Sequence, residues 1–151
     1  MSKITIFSDG GARGNPGQGA VGCVIRQIDQ ETKRQRETKI SKKIGVVTNN
    51  QAEYRGVIEA LKWIKDNRDK QDNQDNRENT DNPEIECYLD SKLVVEQLNL
   101  RYKLKHHNLK PLFDEVRMLV MALGGKVSFH YIPREENKEA DRLVNEALDK
   151  R

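Results

Sequence analysis

Apolar positions along the chain first alternate and later recur at helical intervals. Ile4 and Ile6 mark one face of a short strand over 3–8. A glycine-rich turn follows at 9–19. Segments 20–28 (AVGCVIRQI) and 34–44 (RQRETKISKKI) read as two further strands joined by a short polar turn, which predicts an antiparallel meander. Tyr54, Val57, Ile58, Leu61 and Ile64 then recur at i, i+3, i+4, i+7 and i+10. That is the stripe of an amphipathic helix, with Asn49 or Asn50 as its N-cap. A fourth strand is predicted at 84–89, and a second helix over 91–99 capped by Asp90 or Ser91. Leu112, Val116, Leu119, Val120 and Leu123 mark a third helix, stopped by Gly124 and Gly125. A fifth strand at 126–132 ends at Pro133, and Ala140, Leu143, Val144, Ala147 and Leu148 stripe a last helix. The order β-β-β-α-β-α-α-β-α predicts an α/β domain with a mixed sheet flanked by helices.

One stretch breaks the pattern. Residues 66–82 (DNRDKQDNQDNRENTDN) contain no hydrophobic side chain. Such a composition buries too little apolar surface to offset the entropy of ordering, so it reads as a flexible polar insertion in a single domain over 1–151. It also changes the charge balance. The whole chain has 27 Lys and Arg against 24 Asp and Glu, a net of 27 − 24 = +3. The insertion holds Arg68, Lys70 and Arg77 against Asp66, Asp69, Asp72, Asp75, Glu78 and Asp81, a net of 3 − 6 = −3. The remainder therefore carries 24 − 18 = +6, a basic body that suits a polyanionic partner. No apolar run approaches the roughly 18 residues of a membrane span, and the N-terminus lacks a secretory pattern. Cys23 and Cys87 show no metal-type spacing and read as small buried thiols, which places the expectation in the cytoplasm.

Four acids stand where the predicted elements begin or end. Asp9 closes the first strand before the glycines, and Asp90 closes the fourth. Glu53 and Asp141 lie near the starts of the first and last helices. If strands one and four are parallel neighbours, Asp9 and Asp90 share a sheet edge, where the two helix starts can meet them. Taken singly, Glu53 and Asp141 are ordinary helix-start acids and Asp90 an ordinary cap. Gathered together, they would repel unless cations neutralised them, and all-oxygen ligands suit Mg²⁺ or Mn²⁺. Such a cluster would hold two divalent ions about 4 Å apart, the arrangement of in-line phosphoryl displacement.

The segments IFSDGGARGNPGQGAVG, TNNQAE, CYLDSKLVVEQL and IPREENKEADRLVNEAL, in this order, closely resemble type 1 ribonuclease H of the compact archaeal and bacterial kind. The likeness covers nearly the whole chain outside 66–82. It implies a five-stranded mixed sheet ordered 3-2-1-4-5, and an endonuclease that hydrolyses the RNA strand of RNA–DNA hybrids with two Mg²⁺, Mn²⁺ being a possible substitute. The ends left would be 5′-phosphate and 3′-hydroxyl. It assigns the catalytic and metal-binding acids to Asp9, Glu53, Asp90 and Asp141. It assigns substrate contacts to the backbone of Gly10, Gly11, Ala12 and Arg13 and to the amides of Asn15, Asn49 and Asn50. A 2′-hydroxyl both gives and accepts hydrogen bonds, which neutral amides match. Local roles, a turn residue at Asn15 and capping at Asn49 or Asn50, coexist with these. Thr48 and Asn108 match positions that grip a DNA-strand phosphate.

The chain also departs from the family pattern. Many relatives carry a histidine before the last helix, whereas the loop 132–137 has none. Arg134 stands there instead, suited to phosphate but not to act as a base. Lys92 replaces a frequent glutamine and shifts that contact toward phosphate. Asn137 is read as the cap of the last helix, with a water-mediated role at the metal site as the other reading. RYKLKHHNLK (101–110) is too short for the extra basic helix of some relatives and is expected to be a modest phosphate-binding loop or a solvated connector. His130 is a structural or surface histidine within its strand, and Trp63 partial core. A monomeric enzyme is the expectation. A non-catalytic hybrid-binding module is the alternative, and a scaffolding domain would leave the acids unexplained.

Overall fold

In a computed structural model of the chain, the residues described are 2–75 and 82–150, without side chains for 69–75. Strands β1 (Ser2–Gly14), β2 (Gly17–Asp29) and β3 (Gln35–Val47) form the meander. Helix α1 (Asn49–Asp75) follows, then β4 (Glu84–Leu89), α2 (Lys92–Leu98), α3 (Lys110–Ala122), β5 (Val127–Tyr131) and α4 (Lys138–Asp149). The sheet order is β3-β2-β1-β4-β5, as the resemblance implied. β1–β2 and β2–β3 pair antiparallel, and β1–β4 and β4–β5 pair parallel.

Two boundaries differ from those predicted. β1 does not stop at residue 8 but runs through the glycines, pairing from Gly10↔Val21 to Gly14↔Gly17. Only Asn15 and Pro16 are left for the turn, and Gly14 at φ 103° supplies the left-handed backbone that closes it. Pairing here is carried by the backbone, so small residues hide the strand from a hydrophobic pattern. The first helix likewise continues past residue 66 to Asp75, while 76–81 of the expected insertion lie outside the described residues. No Gly or Pro occurs between Gly56 and Pro83 to stop the helix, and Arg68, Lys70, Gln71 and Gln74 are good helix formers set among weaker Asn and Asp. Propagation from an anchored helix needs no apolar stripe of its own.

Side chains alternate across each strand, and the two faces are covered differently. Ile4, Ile6, Cys23, Ile25, Ile85, Cys87 and Leu89 face a core closed by Tyr54, Val57, Ile58 and Leu61 of α1, Val94 and Leu98 of α2, and Val116 and Val120 of α3. Trp63 packs against this core from a half-buried position. On the other face α4 lies over β2, where Val144 and Ala147 meet Ala20. A side chain at Gly22 would strike the Ala140 carbonyl at 2.2 Å, so this glycine sets how closely α4 approaches. α2 is capped by Ser91, whose Oγ accepts from the Val94 N–H at 3.3 Å. α3 ends as predicted, with the Gly125 N–H reaching back to the Val120 carbonyl at 2.9 Å.

Candidate active site

The parallel pairing of β1 with β4 ends at Ser8↔Leu89, so Asp9 and Asp90 follow side by side at one sheet edge. α1 brings Glu53 to the same edge because two glycines remove what would keep it away. A Cβ on Gly10 would stand 2.1 Å from the Ala52 carbonyl oxygen and 2.6 Å from the Glu53 nitrogen. A Cβ on Gly56 would stand 2.6 Å from Ser8 Oγ and 2.9 Å from the Asp9 carbonyl. With both absent, ligand oxygens of Asp9, Glu53 and Asp90 all lie within 4.8 Å of one another. Asp141, half-buried in the first turn of α4, is not part of that close set, although its charge acts on Asp9.

Asp9 and Glu53 are 7% and 8% exposed, so their charges sit largely out of water. Burial, then repulsion from Asp90, pushes the Asp9 carboxyl up to about 7, against the opposing pull of the Gly10 N–H on Oδ1 at 2.9 Å. Burial, then repulsion from Asp9 and Asp90, raises Glu53 well above the ordinary carboxylate range. Among the described residues no Lys or Arg pairs with any of the four acids. Glu53 Oε2 is buried without a hydrogen-bond donor. Three hard oxygen ligands converging with one left unpartnered fit a divalent cation and are poorly explained by packing alone.

The residues assigned to substrate fall into two groups. The β1–β2 tip is tied to the start of α1. The Ala12 N–H donates to Asn49 Oδ1 and the Asn49 N–H to Asn15 Oδ1, each at 3.0 Å. The Ala12 donor is therefore already engaged. Both asparagine oxygens accept a bond, while their NH₂ groups have no partner among the described residues. Gly10 is buried, Gly11 faces Val144, and Arg13 pairs with Asp149 at 2.6 Å on the surface. Asn50 is half-buried, and Lys92, Asn108 and Arg134 are exposed on separate elements. Asn108 lies in a 3-10 turn (His107–Leu109) before α3, so 101–110 adds no further helix. His130 is exposed, stacked on Tyr88 with centroids 5.1 Å apart.

Two cap assignments change. Neither Asn49 nor Asn50 caps α1. Thr48 does, its Oγ1 accepting from the Gln51 N–H at 3.2 Å while Gln51 Oε1 accepts from the Thr48 N–H at 2.9 Å. The T-x-x-Q spacing of this reciprocal box stood in the sequence. Asn137 begins α4 but makes no side-chain cap. Its Nδ2 donates instead to Asp90 Oδ2 and to the Ser8 carbonyl, each at 2.9 Å.

Known proteins resemble this chain along its length. The family described as RNase H matches residues 1–149. The bifunctional protein Rv2228c of Mycobacterium tuberculosis is 37% identical over 147 residues, 97% of this chain, although the chain spans only 36% of that relative. Ribonuclease HI of Halobacterium salinarum is 33% identical over 97% of this chain and 65% of its own length. LC11-RNase H1, isolated from compost, has a solved structure with TM-score 0.79 at 40% identity, covering 99% of this chain and 97% of that one. The same protein solved with RNA/DNA hybrid matches at TM-score 0.74 and 39% identity, over 97% of both chains.

Proposed function

Since the chain belongs to the RNase H family, we propose that it is an endoribonuclease that hydrolyses the RNA strand of RNA–DNA hybrids, leaving 5′-phosphate and 3′-hydroxyl ends. The observation that carries this reading is the convergence of Asp9, Glu53 and Asp90 from three separate elements, with a buried Glu53 oxygen lacking any donor. The solved hybrid complex of LC11-RNase H1 supports the choice of substrate. Two Mg²⁺ ions, or Mn²⁺ in their place, would activate the attacking water and neutralise the leaving oxygen. Asp9, Glu53 and Asp90 would hold them, with Asp141 completing the site from α4.

The other residues bind and orient the substrate. The free NH₂ groups of Asn15 and Asn49 donate to acceptors in the minor groove, and Asn50 lies beside them. Gly10, Gly11, Ala12 and Arg13 form the strand wall along which the RNA lies. Thr48 and Asn108 take the DNA-strand phosphate, and Lys92 and Arg134 the flanking phosphates. No histidine stands in the 132–137 loop, so no side-chain base there accepts a proton, and release of product is slower for it. The protein acts as a monomer in the cytoplasm.

The test is incubation of end-labelled hybrid with Mg²⁺, alongside EDTA and Asp9→Asn controls. Internal cuts in the RNA strand that disappear in both controls are expected. Wild-type protein that binds hybrid and never cuts it would make the chain a binding module instead. An RNA–RNA duplex in the same assay sets the breadth of the substrate range.

A further inference from the structure

We infer that Asn137 is a positioning residue of this site, whose side-chain amide sets the Asp90 carboxylate for cation binding and ties it to the strand carrying Asp9. The inference rests on the metal-dependent reading above. Asn137 is 1% exposed, at the junction between a 3-10 turn (Arg134–Glu136) and α4. Its amide nitrogen uses both hydrogens, one on the Ser8 carbonyl and one on Asp90 Oδ2, each at 2.9 Å. Both partners are acceptors, which fixes the orientation of the amide. Its backbone carbonyl accepts the Asp141 N–H at 3.1 Å. One residue therefore touches the strand immediately before Asp9, the carboxylate of Asp90, and the backbone of the turn that bears Asp141.

The chemistry of the position calls for a neutral donor. A Lys or Arg would hold Asp90 more strongly but would bring a positive charge to compete with the cation. An Asp would add another carboxylate to a site already dominated by repulsion. An amide restrains one oxygen of Asp90 and leaves the other for a ligand bond, as partners behind metal ligands commonly do. The residue is also not optimised as packing. Asn137 Oδ1 is buried without a donor, where a purely structural asparagine would have both ends engaged. That oxygen remains an acceptor for a donor that arrives with the bound state, a water of hydration included.

The experiment compares wild type with Asn137→Ala and Asn137→Ser. Mg²⁺ affinity is measured by calorimetry without substrate, and kcat and KM for hybrid across a range of Mg²⁺. The variants are expected to bind Mg²⁺ 10–100-fold more weakly. At low Mg²⁺ kcat should fall by a similar factor with KM for hybrid unchanged, and excess Mg²⁺ should restore it. A structural role would lower the melting temperature without moving the metal dependence. In the wild type, which needs no variant to fold, the Asn137 side-chain NH₂ resonances should shift on Mg²⁺ titration with the calorimetric midpoint. Wild type that binds Mg²⁺ and cuts hybrid, with variants of equal Mg²⁺ affinity or with unmoved Asn137 resonances, overturns the positioning role alone. Wild type that neither binds Mg²⁺ nor cuts overturns the functional reading and this inference with it.

Discussion

Replacing Asp9 by Asn should stabilise the metal-free protein while abolishing the proposed cleavage of hybrid. The Asp9 carboxyl is raised from 3.8 to about 7 by burial and by the charge of Asp90. In the unfolded chain it ionises near 3.8, so between these values the folded state holds the extra proton. The contribution of Asp9 to stability is then fully present below about pH 4 and is lost as pH rises through about 7. A shift of 7 − 3.8 = 3.2 units, at about 1.36 kcal/mol each, gives an upper figure of about 4 kcal/mol. Asn keeps the shape and an oxygen for the Gly10 N–H, and it carries no charge at any pH. Urea unfolding in EDTA at pH 5 and pH 8 measures the effect. At pH 8 Asp9→Asn should be more stable than wild type by up to about 4 kcal/mol, roughly 10 °C in melting temperature for a domain of this size. The gap should shrink at pH 5. Saturating Mg²⁺ should stabilise wild type and not the variant, because only wild type keeps the full ligand set. An Asp9→Asn protein equally stable or less stable than wild type at pH 8 without metal would refute the electrostatic account of the cluster.

Other perturbations test the elements that build the site. Gly10→Ala places a methyl group 2.1 Å from the Ala52 carbonyl, so β1 and α1 must part. A loss of about 1–3 kcal/mol is expected together with weaker Mg²⁺ binding, and unchanged calorimetric affinity would show that the close approach does not set the Glu53 position. Thr48→Ala removes the cap of α1 and should cost about 1 kcal/mol in urea unfolding, with faster amide exchange confined to the first turn. Leu100 adopts φ 64° just past the end of α2 and is 67% exposed. Leu100→Gly should therefore stabilise by about 1 kcal/mol, seen as a higher urea midpoint, and a lower midpoint would contradict it.

The elements legible in the sequence were those that bury a periodic apolar face. The stripe from Tyr54 to Ile64 lies in the core, as do Val116, Leu119 and Val120, and Gly124 and Gly125 end α3 as their spacing predicts. The second half of β1 was hidden because its pairing partner, not its side chains, makes it a strand. The extension of α1 to Asp75 was hidden for the converse reason. A polar stretch carries no periodic signal whether it propagates an existing helix or not. Asp9 and Asp90 could be placed together only on the condition that β1 and β4 pair in parallel, and the register ending at Ser8↔Leu89 is what sets them side by side. Glu53 is different. Its approach depends on Gly10 and Gly56, and the sequence shows those glycines without showing that they face one another.

Asn137 shows where local reasoning stops. An asparagine at the start of a helix has a sufficient local explanation as a cap, and α4 does begin at its carbonyl. What overrides that explanation is a geometry set by residues 47 and 129 positions away, Asp90 and Ser8, whose oxygens accept from the side-chain nitrogen, while no helix N–H donates to Oδ1. The same logic runs through the site. Gly10 and Gly56 give up side-chain packing, and Asp9 and Glu53 give up solvation, so that carboxylates from different elements can converge. Each choice is unfavourable for folding alone, and a bound cation would offset it. The site is therefore where propensity and hydrophobic pattern should be poorest guides, and departures from them, an acid without a basic partner or an asparagine that does not cap, are its physical signature.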